Sequence, residues 1–314
     1  MNMIAGVDLG ASKISCCIFS KSGHLESRVR GRGFNVLSAG PEKSAEAVEK
    51  ILQKTVSGGE NFNLSILGVG AAGCGRKKQA EQLKSRLNQT ELAREVHVLD
   101  DGRAAVLAAW PRGAGAVGLA GTGSIAYARS RQGEIFRSGG AGPLLGDEGG
   151  GCRMVLEAIG LALKIKHRRD EDAMLDWILD ELELEDTEAL FSLVYSHPLP
   201  RRELATAAPA LLKRAKEGRQ PEKSLVKEQV REFGFDIIAV LAKLKPSGRR
   251  AAISGGLSHS DYYTFLLGGF LEKHENVIEY EVSPDLNQCF GAALYAMKKS
   301  EQFSSREVGK FLGD

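Results

Sequence analysis

The stretch "GVDLGASK" (residues 6–13) places a carboxylate, Asp8, at the end of an apolar run. Leu9, Gly10, Ala11, Ser12 and Lys13 follow, and then a second apolar run, "ISCCIFS". Small residues at a tight turn let backbone N–H groups approach an anion with no Cβ in the way, and a hydroxyl beside them adds a donor. The competing reading is a plain turn between two strands. A P-loop is excluded, because that motif runs from a glycine loop into a helix, whereas Lys13 leads into a strand. The pattern recurs. Leu9 to Arg28 aligns without a gap on Leu119 to Ser138, with Ser12 on Thr122, Ser20 on Ser130 and Gly23 on Gly133. Two phosphate-facing hairpins, one per domain, account for the repeat.

Three further stretches carry candidate chemistry. "EVHVLDD" (95–101) is a strand ending on Asp100 and Asp101, where a carboxylate can act in catalysis or cap the helix begun by "GRAAVLAAW". "SGGAGPLLGDEGGG" (138–151) is a glycine-rich loop that carries Asp147 and Glu148 to the start of a helix. "RAAISGG" (250–256) is a strand running into Gly255 and Gly256, a turn common in any α/β protein. The acid-rich "DEDAMLDWILDELELEDTEAL" reads as a solvated helix face rather than a metal site.

The elements that must position these residues alternate in type. Strands are expected at 3–9, 14–19 and 24–30, a helix at 43–55, a strand at 65–73, a helix at 78–88, and the strand and helix around Asp100–Asp101. This βββαβαβα order predicts an open mixed sheet with crossover helices. The second half restarts with a strand at 116–120 and its hairpin. A helix is expected from Cys152 to His167, and a helix-rich charged region over 168–245. Strands at 250–256 and 277–283 and two further helices then close the chain.

With 314 residues, two domains are expected. A net charge of +2, and no run of Lys and Arg interleaved with aromatics, argue against a nucleic-acid partner. No secretory signal is read at the N-terminus. The richest apolar window, "AAVLAAWPRGAGAVGLAG", is broken by Pro111 and Arg112, so no membrane span is expected. Five cysteines without a CxxC pattern read as reduced thiols of a cytoplasmic protein.

In order, "DLGASK", the "LDD" strand end, "GLAGTGS", "GGAGPLLGDEGGG" and "ISGGLSHS" resemble the acetate kinase, sugar kinase, Hsp70 and actin superfamily. Within it, the chain is similar to N-acetylglucosamine kinases and to BadF/BadG-type ATPases over residues 4–298. The resemblance implies an α/β fold of two ribonuclease-H-like domains, residues 1–111 and 112–314, the second with a helical insertion at about 152–245. It implies ATP and Mg²⁺ in a cleft that closes during catalysis. Asp8 would hold Mg²⁺ through water. Gly10, Ala11, Ser12 and Lys13, and Gly121, Thr122, Gly123 and Ser124, would hold the ATP phosphates. Gly255 and Gly256 would approach the nucleoside. Asp101 falls at the catalytic base, with Asp100 where relatives often carry asparagine. Asn35, Asp147 and Glu148 would bind the sugar.

Departures from the family pattern are Leu9–Gly10–Ala11 in place of three glycines, Ala141 in place of a tryptophan, and "AAGCG" (71–75) in a sugar-contacting region. The implied function is transfer of a phosphoryl group from ATP to a hydroxyl of an amino sugar. The alternatives are an ATPase that energises a partner enzyme and a sugar sensor without turnover. A homodimer is left open as the assembly.

Overall fold

A computed structural model describes residues 3–10, 13–33, 36–56, 64–169 and 173–313. The chain divides into two compact units, Met1–Gly113 with Leu286–Asp314, and Ala114–Asp285.

The first unit opens with β1 (Met3–Leu9), β2 (Lys13–Phe19) and β3 (Leu25–Arg32) as an antiparallel meander. α1 (Val36–Val56), β4 (Leu64–Ala71), α2 (Lys77–Asn88), β5 (Val96–Asp100) and α3 (Asp101–Ala109) follow. The sheet order is β3-β2-β1-β4-β5, with β4 parallel to both β1 and β5. α1 begins earlier than its apolar spacing suggests and breaks at Gly40–Pro41, where Gly40 adopts φ 82°. Strand alternation divides the core. Val7, Leu9, Ile14 and Cys16 pack with Val48, Ile51 and Leu52 of α1, whereas Ile4, Cys17 and Phe19 face the opposite way.

The second unit repeats the plan with β6 (Gly115–Ala120), β7 (Ser124–Arg129) and β8 (Ile135–Gly139). Six helices follow: α4 (Gly151–Arg169), α5 (Ala173–Glu181), α6 (Thr187–Val194), α7 (Arg201–Leu204), α8 (Ala208–Lys216) and α9 (Glu222–Leu241). They span residues 151–241. β9 (Arg250–Ser254), α10 (Asp261–Leu271) and β10 (Glu279–Val282) complete an order of β8-β7-β6-β9-β10, the same as in the first unit. In the acid-rich segment, Met174, Leu175, Trp177 and Ile178 of α5 are buried while Asp176 and Asp180 are exposed. That is the pattern of a solvated helix face.

α11 (Gln288–Lys299) and α12 (Ser305–Phe311) belong to the first unit, so a division placing all of 112–314 in the second domain does not describe the chain. The reason is packing. Cys289, Ala293, Leu294 and Met297 cover Ile4, Cys17 and Ile66. A Cβ on Gly6 or Gly68 would overlap the α11 carbonyls of Cys289 and Ala292, so glycine lets the helix lie directly on the sheet.

The register also corrects the gapless repeat. Leu9 pairs with Ile14, leaving four residues, 10–13, in the first turn. Ala120 pairs with Ser124, leaving three, 121–123, in the second. Ala120 and Ala126 share the core face that Leu9 and Cys16 occupy in the first unit. Burial therefore matches Leu9 to Ala120 and Asp8 to Leu119, with a one-residue gap inside the turn. A one-residue slip would have turned every side chain of one strand to the wrong face.

Candidate functional site

In the first unit the carboxylates meet at one sheet edge. β1, β4 and β5 run parallel, and Leu9 pairs with Ala71, which pairs with Asp100. The carboxyl ends of the three strands therefore lie side by side, the edge at which open α/β sheets bind ligands. Asp8 is buried there. Burial, and then the neighbouring Asp101, push its carboxyl up to about 7 against the attraction of Lys13 and Arg28. Cys74, in the turn after β4, is driven up to about 12, first by burial and then by Asp101 and Asp100. Asp8, Asp101, Asp100 and the 71–75 turn are thus electrostatic neighbours.

Asp100 and Asp101 are not equivalent. Asp100 is the last strand residue and caps α3. Its Oδ1 accepts the Arg103 backbone N–H at 2.9 Å, and its Oδ2 lies 2.9 Å from Arg103 Nε. Asp101 is the first residue of α3 and not a strand residue. It is half-buried, and its Oδ1 accepts the Gly102 N–H at 3.1 Å. The capping role therefore falls to Asp100.

The Gly10 N–H closes the first hairpin on the Lys13 carbonyl at 2.9 Å. Gly33 rests on this turn so closely that a Cβ would overlap the Gly10 and Lys13 backbone. Ala11, Ser12 and Asn35 lie outside the described residues.

The second unit joins the other motifs. The Gly121 N–H donates to the Gly123 carbonyl at 2.9 Å. The Gly121 and Thr122 carbonyls accept the N–H groups of Gly151 and Cys152 at 2.8 and 2.9 Å, which ties the hairpin to the start of α4. Ser124 Oγ donates to the Glu148 carbonyl at 2.6 Å. Gly121 faces Gly256, whose nitrogen would lie 3.8 Å from a Cβ on Gly121. Gly255 adopts φ 108°, and its missing Cβ makes room for the Ala120 backbone.

Asp147 sits in a left-handed conformation at φ 60° and is 3% exposed. Its Oδ1 accepts the Gly142 N–H at 2.9 Å, and its Oδ2 is 2.7 Å from an Arg201 guanidinium nitrogen. Burial raises its pKa and the repulsion of Glu148 adds to this, against the Gly142 N–H and Arg201. A Cβ on Gly123 would strike this carboxylate. Arg201, Gln229 and Tyr263 escaped sequence reading. Gln229 accepts the Gly149 N–H at 3.1 Å and Tyr263 donates to the Gly149 carbonyl at 2.9 Å, from helices 80 and 114 residues away. Nothing local marks them.

Among the described residues, no group of three or more His, Cys, Asp or Glu could hold a metal by itself. The donor set nevertheless suits Mg²⁺, which needs only one or two carboxylates when phosphates and waters complete its shell. A buried carboxyl raised to about 7, with Asp101 near enough to repel it, is what a divalent cation would relieve.

Two sheets of identical order, each led by a small-residue hairpin and one carrying paired carboxylates, define the two-domain actin-like ATPase fold of sugar kinases. The chain belongs to the BadF/BadG/BcrA/BcrD ATPase family, whose model matches residues 5–296. It is 27% identical, over 96% of its length and 100% of the relative's, to the N-acetylmuramic acid/N-acetylglucosamine kinase of Clostridium acetobutylicum. A solved Chromobacterium violaceum protein, provisionally named an N-acetylglucosamine kinase, superposes with a TM-score of 0.74 at 21% identity, covering 94% of this chain and 98% of that one. The ROK hexokinase of Thermus thermophilus does so with a TM-score of 0.60 at 17% identity, covering 95% and 99%. No helix among the described residues is long and apolar enough to cross a membrane.

Proposed function

We propose that the protein is an ATP-dependent kinase that phosphorylates a hydroxyl of an amino sugar of the N-acetylglucosamine kind. One observation carries the reading: Asp8 and Asp101 sit together at the carboxyl edge of the first sheet, beside the Gly10–Lys13 turn, while Asp100 is committed to capping α3 and pairing with Arg103.

Phosphoryl transfer depends on positioning and charge neutralisation more than on covalent chemistry of the protein. The first unit supplies Asp101 as the base that takes the proton from the sugar hydroxyl, and Asp8 as the carboxylate that holds Mg²⁺ through water. When bound, Mg²⁺ neutralises phosphate charge. The Gly10–Lys13 turn brings a close backbone approach and a cation to the phosphates. The second unit supplies Gly121 to Ser124 for the phosphates and Gly255 and Gly256 for the nucleoside. Asn35, Asp147 and Glu148 orient the sugar. Ala141, exposed on the glycine loop, presents only a methyl where an aromatic face is expected, which suits a sugar carrying an additional substituent. The relative that accepts both N-acetylmuramic acid and N-acetylglucosamine supports this breadth.

The test is ADP release with ATP and Mg²⁺ across a panel of sugars and a no-sugar control. ADP that appears only with N-acetylated glucosamine-type sugars is the expected result. Turnover without sugar would favour the partner-energising ATPase, and ligand binding without turnover would favour a sensor.

A further inference from the structure

The ion pair between Arg201 and Asp147 stands beside the second hairpin, and it uses a single terminal nitrogen of the guanidinium. A guanidinium carries five N–H donors and no acceptor. One nitrogen of Arg201 lies 2.7 Å from Asp147 Oδ2. Arg201 Nε is buried with no hydrogen-bond partner. The Asp147-bound nitrogen lies only 3.3 Å from where a Cβ on Gly123 would stand, so the guanidinium abuts the turn assigned to phosphate. Nε itself is sealed from solvent, but the side chain as a whole is 40% exposed, so a ligand would meet its terminal nitrogens rather than Nε. A planar fork of N–H groups, aimed by a buried carboxylate and partly open to solvent beside the turn, matches phosphate oxygens.

We propose that Arg201 is a nucleotide-binding residue that contacts the β- or γ-phosphate of ATP at the Gly121–Ser124 turn. Asp147 holds the guanidinium in place, and the glycine at 123 leaves room for the pair. The inference rests on the kinase reading, and it is separable from it.

The experiment is titration calorimetry of ATP, ADP and AMP, each with Mg²⁺, and of the sugar alone, on the wild-type chain and on Arg201→Gln and Arg201→Lys, with thermal melting as the check on folding. Arg201→Gln is expected to weaken ATP by about 10-fold or more, the usual loss of a charge-assisted hydrogen bond, with ADP weakened as much by a β-phosphate contact and spared by a γ-phosphate contact. AMP should stay within about 2-fold, and sugar affinity should fall less than ATP affinity does, since only the support of Asp147 is lost on that side. Arg201→Lys should recover part of the ATP affinity, since a point charge keeps attraction but loses the fork. Should Arg201→Gln not fold, the ATP-to-AMP affinity ratio of Arg201→Lys is read instead and is expected to fall by about 3-fold or more. Equal loss for ATP, ADP and AMP, or loss of sugar affinity with unchanged ATP affinity, overturns the proposal and leaves Arg201 as a support for Asp147. A wild-type chain that binds no ATP overturns the kinase reading itself.

Discussion

The two hairpins occupy the same place in two sheets of the same order, yet they are surrounded by different chemistry. The first has a buried carboxylate, Asp8, on its leading strand, with Asp101 as its neighbour. The matching position of the second hairpin is Leu119, and its carboxylate, Asp147, arrives instead from the glycine loop, already paired with Arg201. The first turn lies beside Asp8 and Asp101, which repel each other, and the second is braced by an ion pair and by the first residues of α4. The fold was duplicated, but the chemistry was not. On the proposed reading, the proton-accepting and metal-holding groups would fall in the first unit, and the second unit would add a braced turn for phosphate.

The comparison breaks most visibly at Asp101. Asp101→Asn is expected to lower kcat by about 100-fold or more with sugar and ATP affinities kept, as loss of a general base does. Asp100→Asn should keep kcat within a few-fold, because asparagine also caps a helix. Sugar-dependent ADP release and sugar calorimetry on both variants decide it, and the reverse ranking would move the base to Asp100.

The glycines of the second turn sharpen it next. Gly123→Ala drives a Cβ into the Asp147–Arg201 pair and should lower the melting temperature clearly. Gly121→Ala meets nothing closer than 3.8 Å, so the fold should be intact. If phosphate packs on that turn, Gly121→Ala raises the KM for ATP by about 10-fold, the scale of a lost hydrogen bond to a charged group. An unchanged KM would remove Gly121 from the phosphate site.

Asp8 predicts a pH effect. Its folded pKa of about 7 lies above the ordinary 3.8, so the folded chain binds the proton more tightly between those values. The contribution of Asp8 to stability is therefore fully present below about pH 4, is lost as pH rises to about 7, and changes little above that. Without nucleotide or metal, Asp8→Asn should melt higher than wild type at pH 8, by roughly 3–6 °C. The difference should vanish near pH 4, while Mg²⁺-dependent ATP use falls. Identical melting curves at pH 8 would show that Asp8 is not ionised at a cost. The smallest effect is expected from Arg103→Ala, which removes a half-exposed partner of Asp100. It should cost no more than about 1 kcal/mol, read by denaturant unfolding, with kcat unchanged.

Much of this was legible in the chain. Apolar alternation marked the strands of both sheets, and the small-residue turns marked both hairpins, because these are local signals of period and backbone sterics. The glycine-rich loop was equally plain, although its ion-pair partner was not. Arg201 lies 54 residues from Asp147 in a region that reads only as charged helix. Asp100 and Asp101 could not be ranked from composition, since either can cap a helix. The register of the last strand turn decides which one does.

Local sequence was enough for the repeated βββαβα plan, the place of each turn and the set of polar residues available at the strand ends. These follow from side-chain period and glycine stereochemistry within a few neighbouring residues. The tertiary structure alone decided that 286–314 return to the first sheet, that the second turn is one residue shorter, and that Asp8 lies under the influence of Asp101 while Asp147 pairs with Arg201. Each of these depends on burial between segments far apart in the chain, and no local pattern encodes which distant surface will exclude water from it.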